Sequence, residues 1–246
     1  MRRRITVNFK TPMPIFTSES KLCDILFHEP DVITVINRFG IFLGVGEASV
    51  RTICERHHID TDFFLSILNT YLNDDYFPEN VLNSDNVRLV VDYLNKTNGY
   101  YEQFQLPNIE RHFNSLVTRS HVKQNSNLSL LRKFFLEMKS ELQKNIAKDN
   151  EVRFPVLLKM HGDLSSDTAF CSCDFEDDPQ PVEDKIDDLL SFFIVHLRGQ
   201  YDVNLCRAVV AALFTLAKDI RQNNRIRRRI LKPLWGALTE NNRCNG

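Results

Sequence analysis

The chain has 246 residues, of which 43% are hydrophobic, so it is long enough to bury a sizeable core. Its 31 basic and 32 acidic side chains nearly cancel, which argues against a protein whose whole surface binds nucleic acid. The low count of eight glycines and nine prolines favours long helices, and therefore an all-α fold. No apolar run approaches the roughly 18 residues that cross a bilayer, and no signal segment opens the chain. We therefore expect a protein without membrane contact, located in the cytoplasm, where its six scattered cysteines would stay reduced.

The first third of the chain shows the pattern of a small helical domain. Residues 1–14 carry three arginines and two prolines, which is typical of a flexible arm. Short helices are predicted between residues 15 and 75, over 21–28, 31–39, 49–57 and 60–71. Gly40 ends the second of them and Ser49 caps the third. A polar segment containing Pro78, residues 76–86, is the predicted linker.

Four long amphipathic patterns follow, which we call helices one to four. They cover residues 87–120, 128–149, 183–197 and 205–234, and together they predict a four-helix bundle over 87–236. Pro107 is expected to kink helix one, and Pro233 to kink or end helix four, leaving 237–246 as a tail. Residues 159–181 form a predicted acidic, exposed and mobile loop. Its Cys171 and Cys173 are too few ligands for a closed zinc site.

Polar residues interrupt the apolar stripe of every long helix. The stripe of helix two leads to an Asn and an Asp, that of helix four to an Asn and an Arg, and that of helix three begins at a Glu, while a Tyr lies within helix one. We predict that these side chains form one polar layer inside the bundle. They are Tyr93, Asn145, Asp149, Glu183, Asn223 and Arg227.

Helices two and four repeat one arrangement of these residues. Asn145 and Asp149 stand ten and six residues before Pro155, and Asn223 and Arg227 stand ten and six before Pro233. Positions four residues apart project from the same helix face, so each pair points to a shared site. In carboxylate-bridged di-iron bundles such positions carry His and Glu. This chain has neither at these places.

Several short segments give the chain a resemblance to a known family. They are Arg38-Phe39-Gly40-Ile41, Gln105-Leu106-Pro107, Ala147 to Val152 with Phe154-Pro155, and Asp219-Ile220 with Ile230 to Pro233. From Ile15 to about Trp235 the chain resembles the iron-sulfur cluster repair di-iron proteins, also called regulators of cell morphogenesis and NO signalling. The resemblance implies a hemerythrin-like four-helix bundle that follows a small N-terminal helical domain.

The same resemblance places substitutions at the family's functional positions. The adjacent cysteine pair of its N-terminal domain falls on Gly44 and Val45, and only the later Cys54 remains. The iron-ligating histidines fall on Tyr93, Asn145, Glu183 and Asn223, and the bridging glutamates fall on Asp149 and Arg227. Arg227 would put a permanent cation where two metal ions would sit, so we expect no cofactor and predict that Arg227 pairs with Asp149 or Glu183.

Three functions are compatible with this sequence. The first is a degenerate, non-catalytic family member that regulates or binds a protein partner or a second copy of itself. The second is an iron-sulfur cluster repair or nitric oxide response protein that still holds two irons through a shifted ligand set. The third is a nucleic-acid-binding regulator, which the sequence favours less and which would use a basic cluster at the end of helix four. That cluster, the possible basic patch, comprises Arg221, Arg225, Arg228, Arg229 and Lys232.

Overall fold

The computed structural model describes residues 14–78, 86–120, 126–162 and 180–244. Within these ranges the chain is all-α, with helices joined by turns and no β-strand. It divides into two compact units between residues 81 and 82, inside the segment predicted as the linker. The arm up to residue 13, linker residues 79–85 and the stretch 163–179, with Cys171 and Cys173, lie outside the described residues.

The first unit consists of four short helices whose ends follow local sequence signals. Ser49 and Asp60 cap the third and fourth helices by accepting bonds from the backbone N–H of Thr52 and Phe63. Gly40 adopts a positive φ of 76° after the second helix, where the Gly40 and Ile41 N–H groups close a Schellman turn. The four helices are α1 (Leu22–His28), α2 (Val32–Arg38), α3 (Val50–Arg56) and α4 (Thr61–Leu72).

The second unit contains longer helices, three of which are interrupted by a π-helical turn before a proline. Helix one comprises α5 (Val87–Tyr100) and α6 (Leu106–Arg119), and helix two comprises α7 (Ser126–Lys148) and α8 (Phe154–Gly162). Helix three begins with α9 (Gln180–Ser191), and helix four comprises α10 (Val203–Ile226) and α11 (Lys232–Cys244). The π-helical turns cover Tyr101–Gln105, Asp149–Arg153, Phe192–His196 and Arg227–Leu231.

The prolines explain three of these turns and correct the predicted helix ends. Proline has no N–H, and its ring clashes with the carbonyl four residues earlier, so a regular α-helix cannot pass through it. Here the residue before each proline instead donates its N–H five residues back, to the carbonyls of Tyr101, Asp149 and Arg227. The wider turn lets each helix continue. Helix two is predicted to end at residue 149 but reaches Gly162. Helix four is predicted to end at residue 234 but reaches Cys244.

Two predicted non-helical segments are consequently too long. The stretch 237–246 is not a separate tail, because its described part up to Cys244 belongs to α11. The predicted loop 159–181 is partly helical, since residues 159–162 belong to α8 and residues 180–181 to α9.

One apolar core occupies the centre of the second unit. The helix α6 packs against α7 and α10, and α9 packs against the same two helices, so these four surround the core. Its large side chains include the stacked pair Phe113 and Phe135 and the fully buried Ile186 and Leu213. Beyond this core, α8 packs against both α5 and α11, and the turn Arg227–Leu231 packs against α5. Buried polar residues lie where these two sets of helices join.

Candidate functional site

The three π-helical turns that precede prolines each place their first residue at the same cavity in the second unit. The residues six positions before Pro107, Pro155 and Pro233 are Tyr101, Asp149 and Arg227, and each begins a π-helical turn. The residues ten positions before the prolines are Thr97, Asn145 and Asn223. All six line a single cavity. The repeat seen in helices two and four therefore extends to helix one.

Asp149 is the centre of the buried polar layer. Its side chain is only 2% exposed, and both carboxylate oxygens accept hydrogen bonds. Arg153 Nη1 donates to Oδ1 at 3.0 Å, while Arg227 Nη2 donates to Oδ2 at 2.6 Å. Asn98 Nδ2 adds a third bond, to Oδ2 at 3.1 Å. One carboxylate thus accepts charge-assisted hydrogen bonds from two cations. Of the two partners predicted for Arg227, the structure gives Asp149.

These partners keep the carboxylate ionised. Burial by itself raises the pKa of Asp149, because a low-dielectric interior disfavours the charged form. The nearby Arg227 guanidinium and the hydrogen bonds from Arg227, Asn98 and Arg153 outweigh this effect, so the pKa lies below its ordinary value. Asp149 is therefore a carboxylate at neutral pH.

Arg227 uses only part of its hydrogen-bonding capacity in this layer. Its Nη2 donates to Asp149 and also to Asn98 Oδ1 at 3.2 Å, and its guanidinium lies 5.9 Å from the centre of the Phe154 ring. Within the described residues, Nε and Nη1 donate to no hydrogen-bond acceptor. The side chain is 22% exposed, and it lines the cavity. Two donor nitrogens of this cavity-lining side chain are therefore unused by the described residues.

Asn223 forms a second network beside the ion pair. Its Oδ1 accepts from the Tyr93 hydroxyl at 3.2 Å. Its Nδ2 donates to the Tyr101 hydroxyl at 3.1 Å and to the backbone carbonyl and Oδ1 of Asp219, at 2.8 and 3.1 Å. Tyr93, Tyr101, Asp219 and Asn223 are all at most 4% exposed. The amide is thus fixed in orientation by three buried neighbours.

The two remaining members of the predicted layer lie at its edge. Asn145 is half-buried and lines the cavity, and its side chain makes no hydrogen bond to any residue that the structure describes. Glu183 is also half-buried, but its Oε1 accepts from Asn224 Nδ2 at 2.7 Å. Of the two acids proposed as partners of Arg227, Glu183 is therefore paired with an amide instead.

The cavity has a volume of about 300 Å³, which falls at the lower end of the range for small-molecule sites. One part of its wall is apolar, and this part consists of Leu142, Ile146, Val182, Ile220 and Leu231. The amides of Asn98, Asn145, Asn223 and Asn224 form part of the polar wall. The charged residues that line it in the described part of the chain are one acid and four bases: Asp149, Arg153, Arg227, Arg228 and Lys232.

The residues around this cavity do not fit the two irons that the family resemblance implies. Both oxygens of Asp149 accept hydrogen bonds from guanidinium groups. The other five ligand positions implied by the resemblance hold Tyr93, Asn145, Glu183, Asn223 and Arg227. Guanidinium groups and amides are poor substitutes for imidazole and bridging carboxylates as iron ligands. Among the described ranges, no group of three or more His, Cys, Asp and Glu side chains could hold a metal ion.

The members of the possible basic patch do not share one surface role. Arg221 forms an ion pair with Asp187, and Arg225 and Arg229 are half-buried and each interact with another group. Arg228 and Lys232 are exposed and line the cavity. Neither forms an ion pair with a residue in the described part of the chain. The cluster is thus divided between paired residues and two cations at the cavity.

The N-terminal motif positions offer no exposed thiol. Gly44 is exposed and has a φ of +97°, a conformation that favours glycine, and Val45 is half-buried. Cys54 is fully buried, and burial raises the pKa of its thiol to about 11. The thiol is therefore protonated at neutral pH and is a weak nucleophile.

Sequence reasoning missed residues that complete the polar layer, and local spacing could have indicated four of them. Asn98 follows Leu94 by one helical turn, so continuing the stripe of helix one would have found it. Tyr101 stands six residues before Pro107, and extending the proline repeat to helix one would have found it. Arg153 follows Asp149 by four residues, which is the spacing of a helical ion pair. Asp219 precedes Asn223 by the same spacing.

None of the described helices is long and apolar enough to pass through a membrane.

The chain was compared with known proteins in three ways. Searches with models of protein families, among curated proteins and among solved structures gave no match to this chain.

Proposed function

We propose that the second unit is a degenerate hemerythrin-like four-helix bundle related to the iron-sulfur cluster repair proteins. In this proposal a salt-bridged polar core replaces the di-iron site, and the protein acts in regulation or binding rather than catalysis. The resemblance of the short sequence segments supports the family. The ring of α6, α7, α9 and α10 around one core is compatible with such a bundle.

One observation carries the proposal: Arg227 donates to Asp149 at 2.6 Å at two of the family's ligand positions. An isolated charge in a low-dielectric interior costs several kcal/mol, so a cation without a carboxylate, or the reverse, would destabilise the fold. Here Asp149 and Arg227 are partners, so neither of them is an isolated charge. Asp149 therefore needs no metal ion to compensate its negative charge.

The first unit supports a role in binding another protein. Phe27, Phe42 and Leu43 are 85%, 74% and 63% exposed, and the last two are adjacent in the loop after Gly40. Large exposed apolar side chains that lie together are typical of interaction surfaces. We propose a protein partner or a second copy of this chain, and no role for nucleic acid or membrane.

The proposal predicts the iron content of the purified protein. Protein prepared without oxygen and incubated with ferrous iron should retain far less than one iron per chain after desalting, because the ligand set is unsuitable. Elemental analysis measures this. Two irons per chain, with an oxo-bridged absorption band after exposure to air, would contradict the proposal and favour the repair or nitric oxide response function with shifted ligands.

A variant with restored ligands is the matched control. It combines Tyr93→His, Asn145→His, Glu183→His, Asn223→His and Arg227→Glu. If the fold is hemerythrin-like, this variant should gain iron under the same conditions, while the parent does not. A variant that retains the parent's helical circular dichroism and still gains no iron would contradict the hemerythrin-like placement of these residues.

A further inference from the structure

We propose that the cavity beside the Asp149–Arg227 pair binds a small organic anion, with a carboxylate or phosphate head and an apolar tail. This inference rests on the proposed binding function and names the ligand class of its site. Three features of the cavity carry it: the excess of cations, the unused donors, and the apolar wall.

The charge balance of the cavity favours an anion. Among the described residues, four basic side chains line it and one carboxylate does, that of Asp149. That carboxylate is already bonded to Arg153 and Arg227. Arg228 and Lys232 have no counter-ion in the part of the chain that the structure describes. An anion that enters would therefore meet cations without first breaking an ion pair.

The unused donors define where the anionic head would lie. Arg227 presents Nε and Nη1 without an acceptor among the described residues, and its Nη2 is fixed by Asp149 and Asn98. A guanidinium held in place through one nitrogen can offer single N–H groups from the other two to a carboxylate or phosphate with little further loss of entropy. Asn145, whose amide has no hydrogen bond to a described residue, adds a neutral donor on the same cavity wall.

The remaining wall is suited to an apolar tail. Leu142, Ile146 and Val182 come from helices two and three, and Ile220 and Leu231 come from helix four. A site with an apolar wall and a few convergent polar groups is the usual form of a small-molecule pocket. The volume of about 300 Å³ suits a chain of about eight carbons rather than a macromolecule.

This geometry favours a small anion over nucleic acid. A nucleic-acid site needs cations spread along a surface so that they follow successive phosphates. Here Arg221 is paired with Asp187, and Arg227 is largely buried. The two exposed cations, Arg228 and Lys232, line a concave site instead.

The experiment titrates the full chain with octanoate, octyl phosphate, octanol and inorganic phosphate by isothermal titration calorimetry. Octanoate or octyl phosphate should bind with a dissociation constant below about 1 mM. Octanol, which lacks the charge, and inorganic phosphate, which lacks the tail, should bind at least roughly tenfold more weakly. The stronger of the two octyl anions identifies the head group.

Two double variants of helix four separate the cavity from general charge effects. Arg228→Gln with Lys232→Gln removes the two exposed cations of the cavity and should weaken binding of the octyl anion roughly tenfold. Lys218→Gln with Arg221→Gln removes the same two residue types from the same helix, outside the cavity lining, and should change binding less than twofold. All four substituted residues lie at the surface or are only half-buried, so both variants are expected to fold.

Several outcomes would overturn the inference. These are the absence of binding by both octyl anions, equal binding of octanol, and equal losses in the two double variants. A salt-dependent gel shift of duplex DNA that disappears with Arg228→Gln and Lys232→Gln, without octyl anion binding, would assign the cations to nucleic acid. None of these results alters the expected iron content, so the proposed function is tested separately.

Discussion

Asp149 shows how its neighbours determine what a buried carboxylate does. As a carboxylate between Arg153 and Arg227 it neutralises charge inside the protein, whereas the same group beside imidazoles would hold a metal. The difference comes from its neighbours. Asn98 contributes as well, because it donates to Asp149 and accepts from Arg227, so that it connects both members of the pair.

The lowered pKa of Asp149 predicts a pH dependence of stability. In the unfolded chain an Asp takes up a proton near pH 3.9, above the pKa of folded Asp149, so the unfolded state binds protons first as the pH falls. The stabilisation is therefore complete above about pH 5 and is lost as the pH falls through the folded pKa. In urea unfolding, the advantage of the parent protein over Asp149→Asn should stay constant between pH 6 and pH 5 and then decrease as the pH is lowered to 3.

A surface carboxylate provides the control for that experiment. Asp92 pairs with Lys96 one helical turn away, and both side chains are more than half exposed. Such a pair contributes less than about 0.5 kcal/mol, so Asp92→Asn should differ little from the parent at any pH in this range. A constant difference between parent and Asp149→Asn from pH 6 to pH 3 would contradict the description of Asp149 as a stabilising carboxylate.

At the level of the helices, proline has a positional role. Pro107, Pro155 and Pro233 each follow a π-helical turn that continues the helix and begins at a cavity residue. Such turns are frequent at functional sites because they change the direction in which side chains project. A π-helical turn in each of three helices places Tyr101, Asp149 and Arg227 at one cavity.

The start of α10 gives a prediction about the helix that carries Asn223 and Arg227. The Asp202 carboxylate accepts from the N–H groups of Asn204 and Leu205, both at 3.0 Å. Asp202→Ala should lower the free energy of unfolding by about 1 kcal/mol, since an N-cap of this kind contributes that amount. Trp235 fluorescence during urea unfolding would report the change.

The conservative variant tests the cause of that loss. Asp202→Asn keeps an oxygen acceptor at the cap, so it should cost only a few tenths of a kcal/mol. If the Ala and Asn variants lose the same stability, capping does not explain the contribution of Asp202.

For the whole molecule, the sequence predicts the all-α class and the positions of most helices, because apolar periodicity and capping residues are local signals. It also predicts that Arg227 pairs with Asp149 or Glu183, and the structure gives Asp149 as the partner. It does not predict the continuation past Pro155 and Pro233, since the usual effect of proline is to end a helix and a π-helical turn leaves no local signal. The pairing of Glu183 with Asn224 depends on the relative rotation of two helices, which stripe positions do not specify.

The second unit as a whole thus combines an apolar core with a buried polar layer. Replacing that layer by apolar residues of similar volume should be much milder than removing one charge, because a buried ion pair often contributes little relative to hydrophobic packing. The layer therefore matters more for the character of the cavity than for stability. Within this layer, Asp149 and Arg227 depend on each other.

A double-mutant cycle measures this mutual dependence of Asp149 and Arg227 most directly. Urea unfolding of the parent, Asp149→Asn, Arg227→Gln and the double variant at pH 7 gives the coupling energy between the two side chains, which should be about 2 to 3 kcal/mol. The surface pair of Asp187 and Arg221, treated in the same way, should give less than about 1 kcal/mol. A coupling energy for Asp149 and Arg227 no larger than that of the surface pair would contradict the salt-bridged core.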